Sequence, residues 1–332
     1  MRAQLAALAA GALVLPLGAV PASSASSTSC GATSGLYVLR LDGGTCQGPF
    51  IHPFAVTDVS ADGSRVLGTD GAGVSDARLD GSDVRRLANG SAENARWSPD
   101  GAKVAFLRGN ELWVMGADGS GLHRVAGDAT EFAWARDSGR LAFVAVPAGR
   151  FGQITVVGAT GQGRAPIAPW FPPPDCDASL TWAPHGGLIA YASSTSIFVV
   201  RPGRARRNLR QRGCSLAWSP GGRRLAFVAA QGLWVIGSDG RHLRRLDQMR
   251  GSTYNAIERP VWSSDGNLLA YTKHRDSLGL GPWQEQFDAV SLRGGRPRLI
   301  VRVADCSDAL AWRWLPGRRL FVSVWAPGCG MD

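Results

Sequence analysis

The stretch "ARWSPDGAKVAF", residues 95–106, decides how the chain folds. An apolar segment ends on Trp97, Ser98-Pro99-Asp100-Gly101 follows, and an alternating apolar segment starts at Lys103. Within that tetrapeptide proline fixes φ at the second turn position, aspartate bonds local backbone, and glycine accepts a positive φ. The stretch therefore predicts a β-hairpin that turns an aromatic side chain towards a core.

The same pattern recurs in "VTDVSADGSRVLGT" (56–69), "FAWARDSGRLAF" (132–143), "LTWAPHGGLIAY" (180–191), "LAWSPGGRRLAF" (216–227), "PVWSSDGNLLAY" (260–271) and "LAWRWLPGRRLFV" (310–322). The residue before each turn is Trp97, Trp134, Trp182, Trp218, Trp262 or Trp312, with Val59 in the first copy. Copies lie roughly 35 to 50 residues apart, the period of stacked supersecondary units. Each hairpin leads to a third apolar segment ending in a Gly-containing turn, as in "ELWVMGADGS" and "GLWVIGSDGR", and then to a short fourth one such as "LRRL" (243–246). Four antiparallel strands per unit, repeated, are the blades of a β-propeller.

The two ends of the chain complement each other. The last copy supplies only first and second strands, whereas "LYVLRLDGG" and "CQGPFI" near the N-terminus are a third and a fourth strand without a hairpin. Joining them completes one blade, closes the ring and removes two exposed sheet edges. The expected fold is all-β, a seven-bladed propeller, with blade hairpins starting near residues 56, 94, 131, 179, 215, 259 and 309. A six-bladed ring is the alternative and requires discarding one copy. The roughly 307 residues after residue 25 give about 44 per blade, in the range of such repeats.

The "WSPDG" hairpins followed by "LWVMGADGSGLHRV" resemble the TolB-like, WD-like propeller repeats of exported bacterial proteins, over nearly all of the chain after residue 25. The resemblance implies a protein-interaction scaffold; related repeats also accompany peptidases and occasionally form lyases. The shared residues build turns and cores, so they speak to fold rather than to chemistry.

Residues 1–25 read as a signal peptide: Arg2 precedes a long Ala/Leu/Val run, then the small residues "PASSASS". Residues 26–332 are expected to be a single propeller domain, exported and secreted, periplasmic or envelope-associated, with no transmembrane span after cleavage. Retention of the run as an anchor is the alternative. Six cysteines in an oxidising compartment allow up to three disulfides. Neighbouring-blade placement favours Cys176 with Cys214 and hairpin placement Cys306 with Cys329, which leaves Cys30 with Cys46; Cys30 with Cys329 is a rival. A net charge of +10 favours anionic surfaces such as envelope polymers, and export sets nucleic acid aside.

The chain contains no G-x-S-x-G, H-E-x-x-H, Walker loop or EF-hand. Its five histidines are scattered, and His123, His185 and His242 are expected to face solvent. Acidic residues are better ordered: Glu93, Glu131, Asp177, Glu258 and Asp308 each lie three to five positions before a repeat tryptophan or its equivalent, where an innermost strand begins. Such a ring could crowd one mouth of the channel and hold Ca²⁺ or a basic partner segment; otherwise these are ordinary turn residues.

Two long connections open on that same face, "PWFPPPDCDAS" (169–179) and "KHRDSLGLGPWQEQ" (273–286). They would offer Trp170, Phe171 and Trp283 as partner anchors, unless they fold back over the mouth. Arginines recur in the fourth strands, as Arg85, Arg86, Arg124, Arg206, Arg207, Arg210, Arg244, Arg245 and Arg298. Charge on outer edges prevents sheet-to-sheet association, and a polymer-binding belt is the second reading. Together these features predict a monomeric, non-catalytic binding module whose partner is a protein or an envelope polymer. A metal-assisted polysaccharide lyase with its site at the mouth is the alternative.

Overall fold

The computed structural model describes residues 35–40, 46–50, 52–146, 151–169, 171, 179–249, 256–275, 284–302, 308–315 and 319–325. The leader sequence, Trp170, Asp177, Trp283 and all cysteines except Cys46 and Cys214 lie outside them.

Seven four-stranded antiparallel sheets form the molecule. Their innermost strands are Ala55–Val59, Glu93–Trp97, Ala129–Trp134, Leu180–Trp182, Cys214–Trp218, Ala256–Trp262 and Asp308–Leu315, which head blades 1 to 7 in that order. Most neighbouring pairs of these strands touch around a central axis. The seventh sheet joins the two ends of the chain: Gly35–Arg40 pairs with Arg319–Trp325 through Tyr37↔Val322 and Val38↔Phe321, and Cys46–Phe50 lies outside it. The ring is therefore a seven-bladed propeller closed by its N-terminal strands.

The hairpin turns form as Ser-Pro-Asp-Gly dictates. Gly101 N–H bonds Ser98 C=O at 2.8 Å, Ser98 Oγ donates to Asp100 at 2.6 Å, and Gly101 sits at φ 74°. The same serine-to-aspartate bond recurs at 2.6 Å in Ser60–Asp62 and Ser263–Asp265. After the turn the second strand is buried on both faces, as in Val104–Leu107 and Leu141–Ala145. Its side chains fill the seams between blades: Leu67, Val104 and Phe106 between blades 1 and 2, and Val144, Trp182 and Tyr191 between blades 3 and 4. Large apolar burial of this kind contributes about 25 cal/mol per Å² removed from water.

Tryptophans tie four of the seams at their inner edge. Trp134 Nε1 donates to Arg96 C=O (3.3 Å), Trp218 to Thr181 C=O (3.3 Å), Trp262 to Ala217 C=O (3.0 Å) and Trp314 to Val261 C=O (3.0 Å). Each acceptor immediately precedes the repeat tryptophan of the blade before. The acceptor residues also pair with the second strand of their own blade, Arg96 with Ala105 and Ala217 with Ala226, so each indole bond ties a neighbouring blade to a residue already held in the ladder.

The last of these bonds corrects the sequence register. Trp314, not Trp312, is the repeat tryptophan of blade 7: it is buried, makes the inter-blade bond, and pairs with Leu320 as Trp218 pairs with Leu225. The turn "WLPGRRL" is one residue shorter than "WSPGGRRL", and "LAW" at 310–312 copies "LAW" at 216–218, which draws the apparent match.

Candidate functional site

The innermost strands carry a repeated irregularity near their start. Asn94 (φ 53°), Ser215 (φ 50°) and Arg259 (φ 50°) all lie three positions before their tryptophan in the left-handed region, and strand pairing slips there. Such bulges re-aim the neighbouring side chain. Glu93, Cys214 and Glu258 occupy the preceding position and are therefore equivalents. Glu131 is one position later, and Asp308 lies six residues before Trp314. The expected acidic ring thus divides into non-equivalent positions.

Glu131 is a strut between blades. Its Oε2 accepts Ser179 N–H (3.2 Å) and Ser179 Oγ–H (2.6 Å), and Oε1 accepts Leu180 N–H (3.0 Å). These donors start the innermost strand of blade 4 and have no sheet partner on that edge. Burial raises the Glu131 pKa, and the Ser179 hydroxyl, the Leu180 N–H and the nearby Arg96 work against the rise. Asp58, which the sequence pattern did not single out, plays a related role. Its Oδ2 accepts Trp97 N–H of blade 2 at 3.0 Å, and Oδ1 lies 3.4 Å from Arg313 Nη1 of blade 7. Arg313 also donates to Val59 C=O. Three consecutive blades are joined through one carboxylate.

Glu93 is exposed. Glu258 pairs with His274, Nε2 to Oε2 3.4 Å, and the imidazole's hydrogen bond lowers the carboxyl pKa. No side chain is described for Asp308, and Asp177 lies outside the described residues, so the acids are not brought together as one set. Among the described residues no group of three His, Cys, Asp or Glu side chains is placed to hold a metal ion.

The partner loops also differ from expectation. Residues 273–275 and 284–286 belong to two long paired strands, Leu268–Arg275 and Gln284–Ser291, so the connection is only 276–283. Phe171 is buried at 4 % exposure: it exchanges backbone bonds with Gly152 (2.8 and 2.9 Å), and its ring lies 5.1 Å from that of Tyr191. It is core rather than anchor. On that same face, in the connection between second and third strands of blade 3, Phe151 is 55 % exposed.

The strand extension hides a charge cluster. Lys273 Nζ lies 2.6 Å from Asp247 Oδ2 of blade 5 and 2.7 Å from Asp288 Oδ2 of its own blade, all three side chains being nearly excluded from solvent. Tyr271 donates its hydroxyl to Asp247 at 2.5 Å, and Gln286 Nε2 donates to Asp288 Oδ1 at 3.1 Å. Burial, then the two carboxylates, push the Tyr271 pKa far above the ordinary phenol range.

Most of the rim arginines have local partners. Arg85 pairs with Asp76, Arg86 with Asp70 (2.8 Å) and Arg124 with Glu111 (2.7 Å). Arg206 lies 4.2 Å from the Phe198 ring centroid and Arg245 5.6 Å from that of Trp234. His123 bridges blades, with its ring nitrogens 2.7 Å from Gly121 C=O and 2.9 Å from Ala159 C=O, while His185 and His242 are exposed. Cys214 is half-buried, and every expected pairing involves a cysteine whose side chain lies outside the described residues.

No family model and no curated protein matches the chain. Solved structures do. A TolB from Agrobacterium tumefaciens superposes with TM-score 0.53 at 13% identity, over 89% of this chain and 99% of that one. An oligogalacturonate lyase in complex with manganese gives 0.58 at 12% identity, over 88% and 91%. A chain of a mitotic checkpoint complex gives 0.61 at 15% identity, over 96% and 99%. At these identities the likeness is one of fold, and the same propeller serves unrelated roles.

Proposed function

We propose that the chain is an exported, non-catalytic propeller that binds a protein or an envelope polymer on the face where its innermost strands begin. The observation that carries this reading is the use of Glu131 and Asp58: both carboxylates are occupied by backbone N–H groups of the next blade rather than aimed at a substrate. A catalytic pair needs groups within reach of a common reacting atom, whereas Glu131 and Asp58 are committed to inter-blade contacts and Glu93 stands exposed. Phe151, exposed on that face, supplies an apolar contact of the kind that anchors partners. An even number of cysteines, six, fits an oxidising compartment.

The test is capture from a native envelope fraction with the full mature chain, compared with Phe151→Asp and with residues 276–283 replaced by a short Gly-Ser linker. Loss of the captured partner in either variant, with the melting temperature retained, supports the reading. Equal capture by all three proteins overturns it.

The alternative, a metal-assisted polysaccharide lyase, draws on the Glu258–His274 pair at the same mouth. Turnover of a uronate-containing polymer with Mn²⁺ or Ca²⁺ present, abolished by His274→Ala, would replace the binding reading by this one.

A further inference from the structure

Blades 1 and 5 align without a gap over residues 60–87 and 219–246. Their registers coincide: Arg65↔Arg78 and Asp76↔Arg85 in one, Arg224↔Gly237 and Val235↔Arg244 in the other. Even a left-handed turn residue is shared, Asp83 at φ 51° and His242 at φ 58°. What differs is charge.

In blade 1 two arginines are neutralised internally. Asp76, 1 % exposed, accepts Arg65 Nε at 2.6 Å and Arg85 Nε at 2.9 Å, and Asp83 accepts Arg65 Nη1 at 2.7 Å. Blade 5 keeps both arginines as Arg224 and Arg244, but Val235 stands in place of Asp76 and His242 in place of Asp83. It also has Arg223 where blade 1 has Ser64. Both carboxylates are gone and a further cation is present.

These side chains line a cleft of about 590 Å³ between blades 5 and 6. Val235, Leu246 and Leu292 give it an apolar floor, while the Ile236 side chain packs on the other face of the sheet, against blade 4. Arg244 is oriented across the seam by donating Nη1 to Leu292 C=O at 2.8 Å. Asp239, the one carboxylate among the described lining residues, is turned onto its own loop, where it accepts Arg241 N–H at 2.9 Å. The volume falls within the ordinary range of small-molecule sites, roughly 300–1,000 Å³.

We propose that this cleft binds a small carboxylate carried on an apolar stem. The ligand carboxylate sits between Arg224 and Arg244, the counterparts of the two arginines that Asp76 engages in blade 1, where guanidinium groups offer paired donors to a planar anion. The stem lies on Val235 and the leucines. The site is separate from the mouth, and its test is independent of that reading.

The test is calorimetric titration of the full mature chain with sodium octanoate, with inorganic phosphate and 1-octanol as controls. One equivalent of octanoate is expected to bind. Val235→Asp, which restores the internal carboxylate of blade 1, should weaken binding at least about tenfold, some 1.4 kcal/mol. Arg224→Gln, an exposed position whose loss leaves the floor intact, should weaken it similarly and serves as the second variant should Val235→Asp fold poorly. Octanoate failing to bind by about 10 mM, a weaker regime than any specific site of this size requires, overturns the proposal. So does equal affinity in folded wild type and Arg224→Gln, or phosphate or octanol binding as tightly as octanoate.

Discussion

The seam between blades 3 and 4 and the seam between blades 5 and 6 solve the same packing problem with opposite chemistry. At the first, a single carboxylate, Glu131, receives two backbone N–H groups and a hydroxyl beside an apolar cluster that includes Val144, Trp182 and Tyr191. At the second, Lys273 is buried between two carboxylates from different blades, with Tyr271 closing the network. Backbone donors are neutral, so the first seam tolerates a change in charge and loses hydrogen bonds. The second holds one ammonium against two carboxylates, so loss of Lys273 leaves buried negative charge uncompensated.

The largest effect should therefore come from Lys273→Met, which leaves Asp247 and Asp288 facing each other in the seam. We expect a loss of about 3–5 kcal/mol, read by urea unfolding. Combining Lys273→Met with Asp247→Asn and Asp288→Asn should recover most of it; if it does not, the cluster contributes more than charge compensation. Next comes Glu131→Gln, where the amide nitrogen must face one of the donors, expected to cost about 1–3 kcal/mol. Equal losses in Lys273→Met and Glu131→Gln would erase the distinction between the seams.

Trp262→Phe removes the bond to Ala217 C=O at the charged seam while keeping most of the ring, for about 1 kcal/mol. The smallest effect is a pH dependence with two signs. Asp62 and Asp70, held at about 2 by hydrogen bonds from Ser60 and Arg86 respectively, stabilise the fold above their unfolded pKa and lose that contribution as pH falls from about 4 towards 2. Glu131 is shifted upwards, so its contribution is complete at low pH and declines as pH rises through the unfolded value of 4.5 towards the folded one. Chemical denaturation from pH 2 to 7 should show the first trend in wild type and in Glu131→Gln, and the second only in wild type.

The propeller was legible because its signal is redundant: seven hairpins agree, and an error in one leaves the others standing. Blade 7 shows the limit, since "LAW" at 310–312 copies "LAW" at 216–218 and drew the apparent tryptophan to 312 instead of 314. The seams were harder to see because their partners are distant in sequence. Ser179 lies roughly 48 residues beyond Glu131, and no local pattern links them. Lys273 was hidden in "KHRD", a polar run that reads as loop, yet one clue was present. Asp288 occupies the third-strand position filled by Trp113, Phe198 and Trp234 in other blades. An acid among stacked aromatics needs a buried counter-charge. The comparison of Asp76 with Val235 was available in the same way, by placing repeats over one another.

The closure of blade 7 also fixes an order of events. Gly35–Arg40 is synthesised before every other described strand and pairs with Cys46–Phe50 at once, yet its other partner, Arg319–Trp325, arrives last of them, roughly 280 residues later. Until then the leading strand waits without that partner, and a chain interrupted anywhere before residue 319 cannot shut its ring. Ring closure thereby waits until the six other blades have been made.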